Sequence, residues 1–96
     1  MSPHKRGFIK SVLLQLSTLN LTTHKVSKTK EMYRVDTDTC NLTLTFNSRV
    51  IEIYVWRYSE CLDDCRERAL FQYTDGVSSV MAEVLSVIRE GKQTDE

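Results

Sequence analysis

The sequence predicts an α+β fold in which a three-stranded antiparallel sheet carries helices packed on one face. Apolar residues recur with helical period near both ends of the chain, over residues 8–19 and 77–90. Between them, residues 39–46 alternate apolar and polar side chains, and a run rich in β-branched and aromatic residues follows. Because helices and strands are segregated along the chain, the expected order α-β-β-β-α-α makes a two-layer domain.

Length and composition fit one folded unit. The chain has 96 residues, of which 41% are hydrophobic and 27% are charged, with three glycines and one proline. These values are ordinary for a globular protein, and the length supports one modest core. We expect a single α+β domain over residues 1–96, with a basic tail at 1–6 and a charged tail at 92–96.

The first helix is predicted to begin at Ser2 and Pro3, because serine is a favourable N-cap and proline suits the first helical position. Its core-facing stripe consists of Phe8, Ile9, Val12, Leu13, Leu16 and Leu19. Residues 22–29 are polar and without a clear period, so we interpret them as a connection.

A hairpin and one further strand form the predicted sheet. With Asn47 and Ser48 as a two-residue loop, the apolar residues of both hairpin strands share one face. A third strand over residues 30–35 joins this meander. The predicted pairs are Leu44 with Ile51, Leu42 with Ile53, Cys40 with Val55, and Val35 with Cys40.

Two more helices are predicted after the sheet, over residues 60–73 and 77–90, with a turn at 74–76 between them. The second of these has a regular apolar stripe, and Gly91 is expected to end it. The stripe consists of Val77, Val80, Met81, Val84, Leu85 and Ile88.

Charge is divided along the chain although the total is zero. Residues 1–34 hold seven basic residues and one acidic residue, and the remainder holds six basic and twelve acidic residues. The basic part either folds against acidic helices of the same molecule or meets an anionic partner.

The stretch Ser59–Arg68, SECLDDCRER, resembles a metal or redox site because two cysteines lie four residues apart. On a helix capped by Ser59, however, Cys61 and Cys65 face the core, where a thiol behaves as a small hydrophobic group. A zinc site would also need Cys40 or a histidine to converge on this helix. We expect no metal and no cofactor. The odd number of cysteines, three, favours a reducing, cytoplasmic compartment.

Motifs for catalysis are lacking. The sequence has no glycine-rich phosphate loop, no nucleophile elbow and no metal-binding histidine pair. Residues 36–38, Asp-Thr-Asp, begin like a calcium loop but lack its later glycine and glutamate. We expect a protein that is not an enzyme.

The sheet face opposite the core is the predicted binding surface. In the expected register it combines basic and aromatic side chains, which suit either protein anchoring or base stacking. Alternatively, a helix or the connection 22–29 covers this face. The candidate partner-binding residues are Met32, Arg34, Tyr54, Trp56 and Tyr58, and the candidate nucleic-acid contacts are Lys25, Lys28, Lys30 and Arg34.

The predicted element order resembles in outline that of the double-stranded RNA-binding domain, which is α-β-β-β-α. It also resembles the build of several small phage-encoded inhibitor proteins. No counterpart of the RNA-binding family's conserved loop or of a lysine cluster opening its last helix is present, so the resemblance concerns element order alone.

The sequence therefore favours a small, non-catalytic intracellular binding or regulatory protein, of the kind a virus or phage encodes as an inhibitor. It would bind a protein partner, with homodimer formation as part of that role, and no membrane. The alternative is a nucleic-acid-binding module that uses the basic segment 25–34 and the aromatic sheet face.

Overall fold

Two helices flank five strands in the described part of the chain. The computed structural model describes residues 3–57 and 66–93, with side chains in the last helix described as far as residue 90. The elements are α1 (Pro3–Thr18), β1 (Thr22–Lys25), β2 (Met32–Asp36), β3 (Cys40–Phe46), β4 (Val50–Arg57), β5 (Arg66–Gln72), a 3-10 turn (Tyr73–Asp75) and α2 (Val77–Gln93). The α+β class is confirmed, whereas the predicted three strands and the order α-β-β-β-α-α are wrong.

The sheet is an antiparallel meander in the order β1-β2-β3-β4-β5. β1 lies within the predicted connection 22–29, and its four residues, Thr-Thr-His-Lys, carry no apolar side chain that would signal a strand. β5 lies within the predicted helix 60–73. Its sequence is rich in helix formers, but pairing with β4 decides its conformation, because strand preference depends on tertiary context.

The β3–β4 hairpin is displaced by two residues from the predicted register. Leu44 pairs with Ile53, and Phe46 pairs with Ile51. The turn lies one residue later than expected, since the backbone N–H of Asn47 donates to the carbonyl of Val50 at 2.9 Å. A shift of two residues leaves every side chain on its predicted face, because the side-chain period of a strand is two.

The β2–β3 pairing is displaced in the same way. Val35 lies opposite Leu42 instead of Cys40, and Cys40 lies opposite Arg57 instead of Val55. Cys40 remains on the core face and is fully buried. The residues of β2, β3 and β4 therefore lie on the predicted faces of the sheet, although the predicted cross-strand pairs are wrong.

The core lies between one face of the sheet and both helices. Its members share nearly complete burial, which removes their apolar surface from water and supplies the main stabilisation of the fold. They are Phe8, Ile9, Val12 and Leu16 of α1; Val35, Cys40, Leu42, Leu44, Phe46, Ile51, Ile53 and Val55 of the sheet; and Val80, Met81, Val84 and Val87 of α2.

The ends of the two helices differ from the prediction, one in a residue of the apolar stripe and one in the position where the helix stops. α1 ends at Thr18, and Asn20 follows with φ of +60°, while the N–H of Leu21 donates to the carbonyl of Leu16 at 3.2 Å. This is the hydrogen-bond pattern of a Schellman cap, and it leaves Leu19 exposed beyond the helix. α2 continues through Gly91, so the predicted end at that glycine is wrong.

Candidate binding surfaces

The face of the sheet opposite the helices, here called the outer face, carries four of the five candidate partner-binding residues. The pairings place Met32, Thr45, Glu52 and Leu70 in one row across the strands, and Arg34, Thr43 and Tyr54 in the next. A third row contains Asp36, Asn41 and Trp56. The fifth candidate, Tyr58, lies outside the described residues.

The outer face is partly apolar and partly accessible. Met32, Tyr54 and Trp56 are half-buried, and Leu70 on the edge strand β5 is 56% exposed. Both described helices pack on the opposite face. Residues 22–25 extend the sheet beside β2 as β1, so this part of the connection 22–29 does not cover the outer face.

The charged groups on the outer face form ion pairs and hydrogen bonds with neighbouring side chains. Arg34 Nε lies 3.1 Å from an oxygen of Asp36, and His24 Nε2 lies 3.3 Å from the other oxygen of that carboxylate. The Tyr54 hydroxyl donates to Glu52 at 3.0 Å, and the side-chain amide of Asn47 also donates to Glu52. The surface therefore presents aromatic and hydroxyl groups without an excess of positive charge, because Asp36 offsets Arg34 and Glu52 is engaged by neutral donors.

The basic segment 25–34 is divided by the fold. Lys28 and Lys30 are exposed in the β1–β2 connection, next to the row of Met32. Trp56 lies four residues further along the strands, about 13 Å away at 3.3–3.4 Å per residue. The structure thus separates the exposed lysines from Trp56, which was expected to stack bases together with Tyr54, whereas Tyr54 lies in the row next to that of Met32.

Lys25 lies on the helical side of the sheet, because it pairs with Tyr33, whose ring packs on the core. Its ammonium is 3.2 Å from Oε1 of Glu31, and the Tyr33 hydroxyl donates to Oε2 at 2.5 Å. These hydrogen bonds, the one from Tyr33 above all, lower the pKa of Glu31, while burial and Glu31 raise the pKa of Tyr33 to about 12. Glu31 is therefore held as a carboxylate.

A groove between α1 and β2 is a site that the sequence did not reveal. Its volume is about 330 Å³, and it is lined by Arg6, Ile9, Lys10, Leu13, Glu31 and Tyr33. The i, i+4 spacing of Arg6 and Lys10, and of Ile9 and Leu13, was a visible signal that these pairs share a face of α1. Their juxtaposition with Glu31 and Tyr33 depends on how α1 packs against the sheet.

The predicted cysteine site lies mostly outside the described residues, which include neither Cys61 nor Cys65. Cys40 is a free, buried thiol, and its sulfur lies 3.4 Å from the Thr37 hydroxyl. Among residues 3–57 and 66–93, no three histidine, cysteine or acidic side chains cluster as metal ligands would.

Neither α1 nor α2, the helices of the described residues, combines the length and apolarity needed to cross a membrane. Comparison of the chain with protein-family models, with curated proteins and with solved structures gave no significant match. The surfaces described above therefore carry the functional argument alone.

Proposed function

We propose that this chain is a small, non-catalytic protein that recognises another protein through the outer face of its sheet. The observation that supports the proposal is the placement of both described helices on one side of the sheet. The opposite side carries half-buried Met32, Tyr54 and Trp56 on β2 and β4, and the exposed Leu70 on its edge strand β5. Aromatic and methionine side chains of this kind are enriched in protein interfaces.

The charge of the outer face supports a protein partner over a nucleic acid. Binding to a polyanion draws on cations that are free to contact phosphates. Arg34, a candidate for that role, is engaged by Asp36 on the same face, and Glu52 adds a negative group. A face with aromatic anchors and no excess of cations suits a protein surface better.

Nucleic-acid binding is the second candidate, and the exposure of Lys28 and Lys30 in the β1–β2 connection favours it. If the chain binds nucleic acid, its affinity for RNA or DNA should fall steeply as the salt concentration rises, because counterions are released on binding. Neutralising both lysines would then weaken binding to RNA or DNA. Binding that is absent, or that survives this change at all salt concentrations, excludes this candidate.

A regulatory role, such as that of a virus- or phage-encoded inhibitor, is part of the main proposal. In this proposal the chain acts by occupying a surface of its partner. The free, buried thiol of Cys40 supports a reducing compartment such as the cytoplasm. A second copy of the chain is one protein that could occupy the outer face.

The proposal is tested by placing a charge on the exposed edge of the outer face. Leu70→Glu should weaken binding to a partner captured from the source cells by at least about tenfold, because a carboxylate would be desolvated in the interface. The matched control is Leu14→Glu, since Leu14 is 66% exposed on α1, on the other side of the sheet. Equal losses in both variants, or no loss in Leu70→Glu, would contradict the proposal.

A further inference from the structure

The groove between α1 and β2 combines an apolar floor with a basic rim. Ile9 is only 5% exposed and forms the floor with the half-buried side chains of Leu13 and Tyr33. Arg6 and Lys10 are exposed and stand one turn apart on α1. A volume of about 330 Å³ is at the small end of the range of roughly 300–1,000 Å³ for ligand sites.

Positive charge exceeds negative charge around the groove. Arg6 and Lys10 make no ion pair with any residue that the structure describes. Glu31 is the single acidic side chain lining the groove, and the Lys25 ammonium and the Tyr33 hydroxyl already engage it. Lys5 is close enough to lower the pKa of Glu31 further. The rim therefore has positive charge left to attract an anion.

No ion pair joins an acidic group elsewhere in the described chain to Arg6 or Lys10. Glu83 and Glu90 of α2 are engaged by Arg57 and Arg68 from β4 and β5. Asp36 is engaged by His24 and Arg34 at the outer face. The excess positive charge of residues 1–34 is thus concentrated on α1 and the β1–β2 connection.

We propose that this groove binds an acidic segment of a partner protein, with an apolar side chain on Ile9, Leu13 and Tyr33. Carboxylates of the segment then contact Arg6 and Lys10. A nucleic acid would use the two cations and could stack a base on Tyr33, but the aliphatic side chains of Ile9 and Leu13 match an apolar side chain better than a base, so the combination favours a peptide. This site lies on the helical side of the sheet and is independent of the outer face.

The test uses a short fluorescent peptide in which leucines alternate with glutamates, titrated onto the full chain at low salt. The unmodified chain should give saturable binding. Arg6→Gln combined with Lys10→Gln should weaken it at least about tenfold, since the charge-assisted hydrogen bonds to the carboxylates of the peptide are lost. The matched control, Lys28→Gln combined with Lys30→Gln, removes the same charge outside the groove and should change affinity less than about threefold.

Two further experiments test the contribution of the apolar floor and the independence of the groove from the outer face. Replacing the leucines of the peptide by serine should also weaken binding about tenfold, because the floor would lose its apolar contact. The Leu70→Glu variant should bind the original peptide unchanged, so failure at the groove and failure at the outer face are distinguishable.

Three results would overturn the groove proposal. The first is equal loss in the groove and loop variants, which would indicate general charge attraction. The second is undiminished binding of the serine peptide. The third is an RNA oligonucleotide of equal charge that binds more tightly than the peptide and depends on Arg6 and Lys10. Circular dichroism of each variant confirms that its fold is retained.

Discussion

At the scale of single residues, Tyr33 contacts the core with its ring and also lines the groove. Its ring makes an edge-to-face contact with Phe46 at a centroid distance of 6.0 Å, while its hydroxyl donates to Glu31. Burial, followed by Glu31, raises the pKa of Tyr33 to about 12. The side chain thus combines an apolar body with a polar tip that binds a carboxylate.

The stability of the protein should fall as the pH rises from about 10 to about 12. In the unfolded chain tyrosine loses its proton near 10.0, whereas folded Tyr33 keeps it to about 12. The unfolded state therefore binds fewer protons in this interval, and its free energy relative to the folded state decreases. Urea unfolding at pH 9 and at pH 11.5 measures the change, which should be on the order of 1–2 kcal/mol.

Tyr33→Phe is the control for this pH effect, because it removes the ionisable group and keeps the ring. It should reduce the alkaline loss of stability without abolishing it, since burial also raises the pKa of Tyr73. An alkaline loss that is the same in Tyr33→Phe and in the unmodified chain would show that Tyr33 does not contribute.

At the scale of elements, the long periodic segments were predictable and the edge strands were not. β3 and β4 alternate over many residues, and α1 and α2 carry regular stripes, so their type and buried faces followed from the sequence. β1 has no apolar residue. β5 contains Arg66, Glu67 and Arg68, and only its pairing with β4 distinguishes it from a helix.

The register between the strands could not be predicted from the sequence, for a related reason. The faces depend only on alternation, but the pairs depend on which residues form the turn. Asn47 and Ser48 gave a weak turn signal, and a turn displaced by one residue moves every pair by two. The side chains of β2, β3 and β4 on the outer face were therefore predicted, but Leu70 was missed because β5 was predicted as a helix. The groove between α1 and β2 could not be predicted, because it depends on how the helix packs against the sheet.

Arg68 links β5 to α2 across the layers. Its guanidinium lies 2.6 Å from Glu83 and 2.8 Å from Glu90, and Glu90 also receives Arg57 at 3.1 Å. Arg68→Ala should lower the free energy of unfolding by about 1 kcal/mol at low salt, and by less at high salt, because these side chains are partly exposed. Urea unfolding at both ionic strengths measures the difference.

A matched control for Arg68→Ala is Arg49→Ala, which removes an exposed arginine from the β3–β4 turn. It should change the free energy of unfolding by less than about 0.5 kcal/mol. If the two variants are equally stable, the ion pairs of Arg68 do not hold β5 against α2.

At the scale of the whole molecule, the division of charge along the chain persists in the fold. The sequence left open whether acidic helices would neutralise the basic part. In the described residues, the acidic groups of α2 are engaged by arginines of β4 and β5, and the N-terminal cations gather on α1 and the β1–β2 connection. One side of the sheet therefore carries a basic groove, and the other carries an aromatic face without an excess of positive charge.

The central claim, that the outer face meets a protein partner, is tested most directly by site-specific photo-crosslinking in the source cells. A photoreactive side chain is placed at Leu70 on the outer face and, separately, at Leu14 on α1, two leucines of comparable exposure. We predict one discrete crosslinked protein from position 70 that is absent from position 14. A crosslinked protein from position 14 alone, or none from position 70, would contradict it.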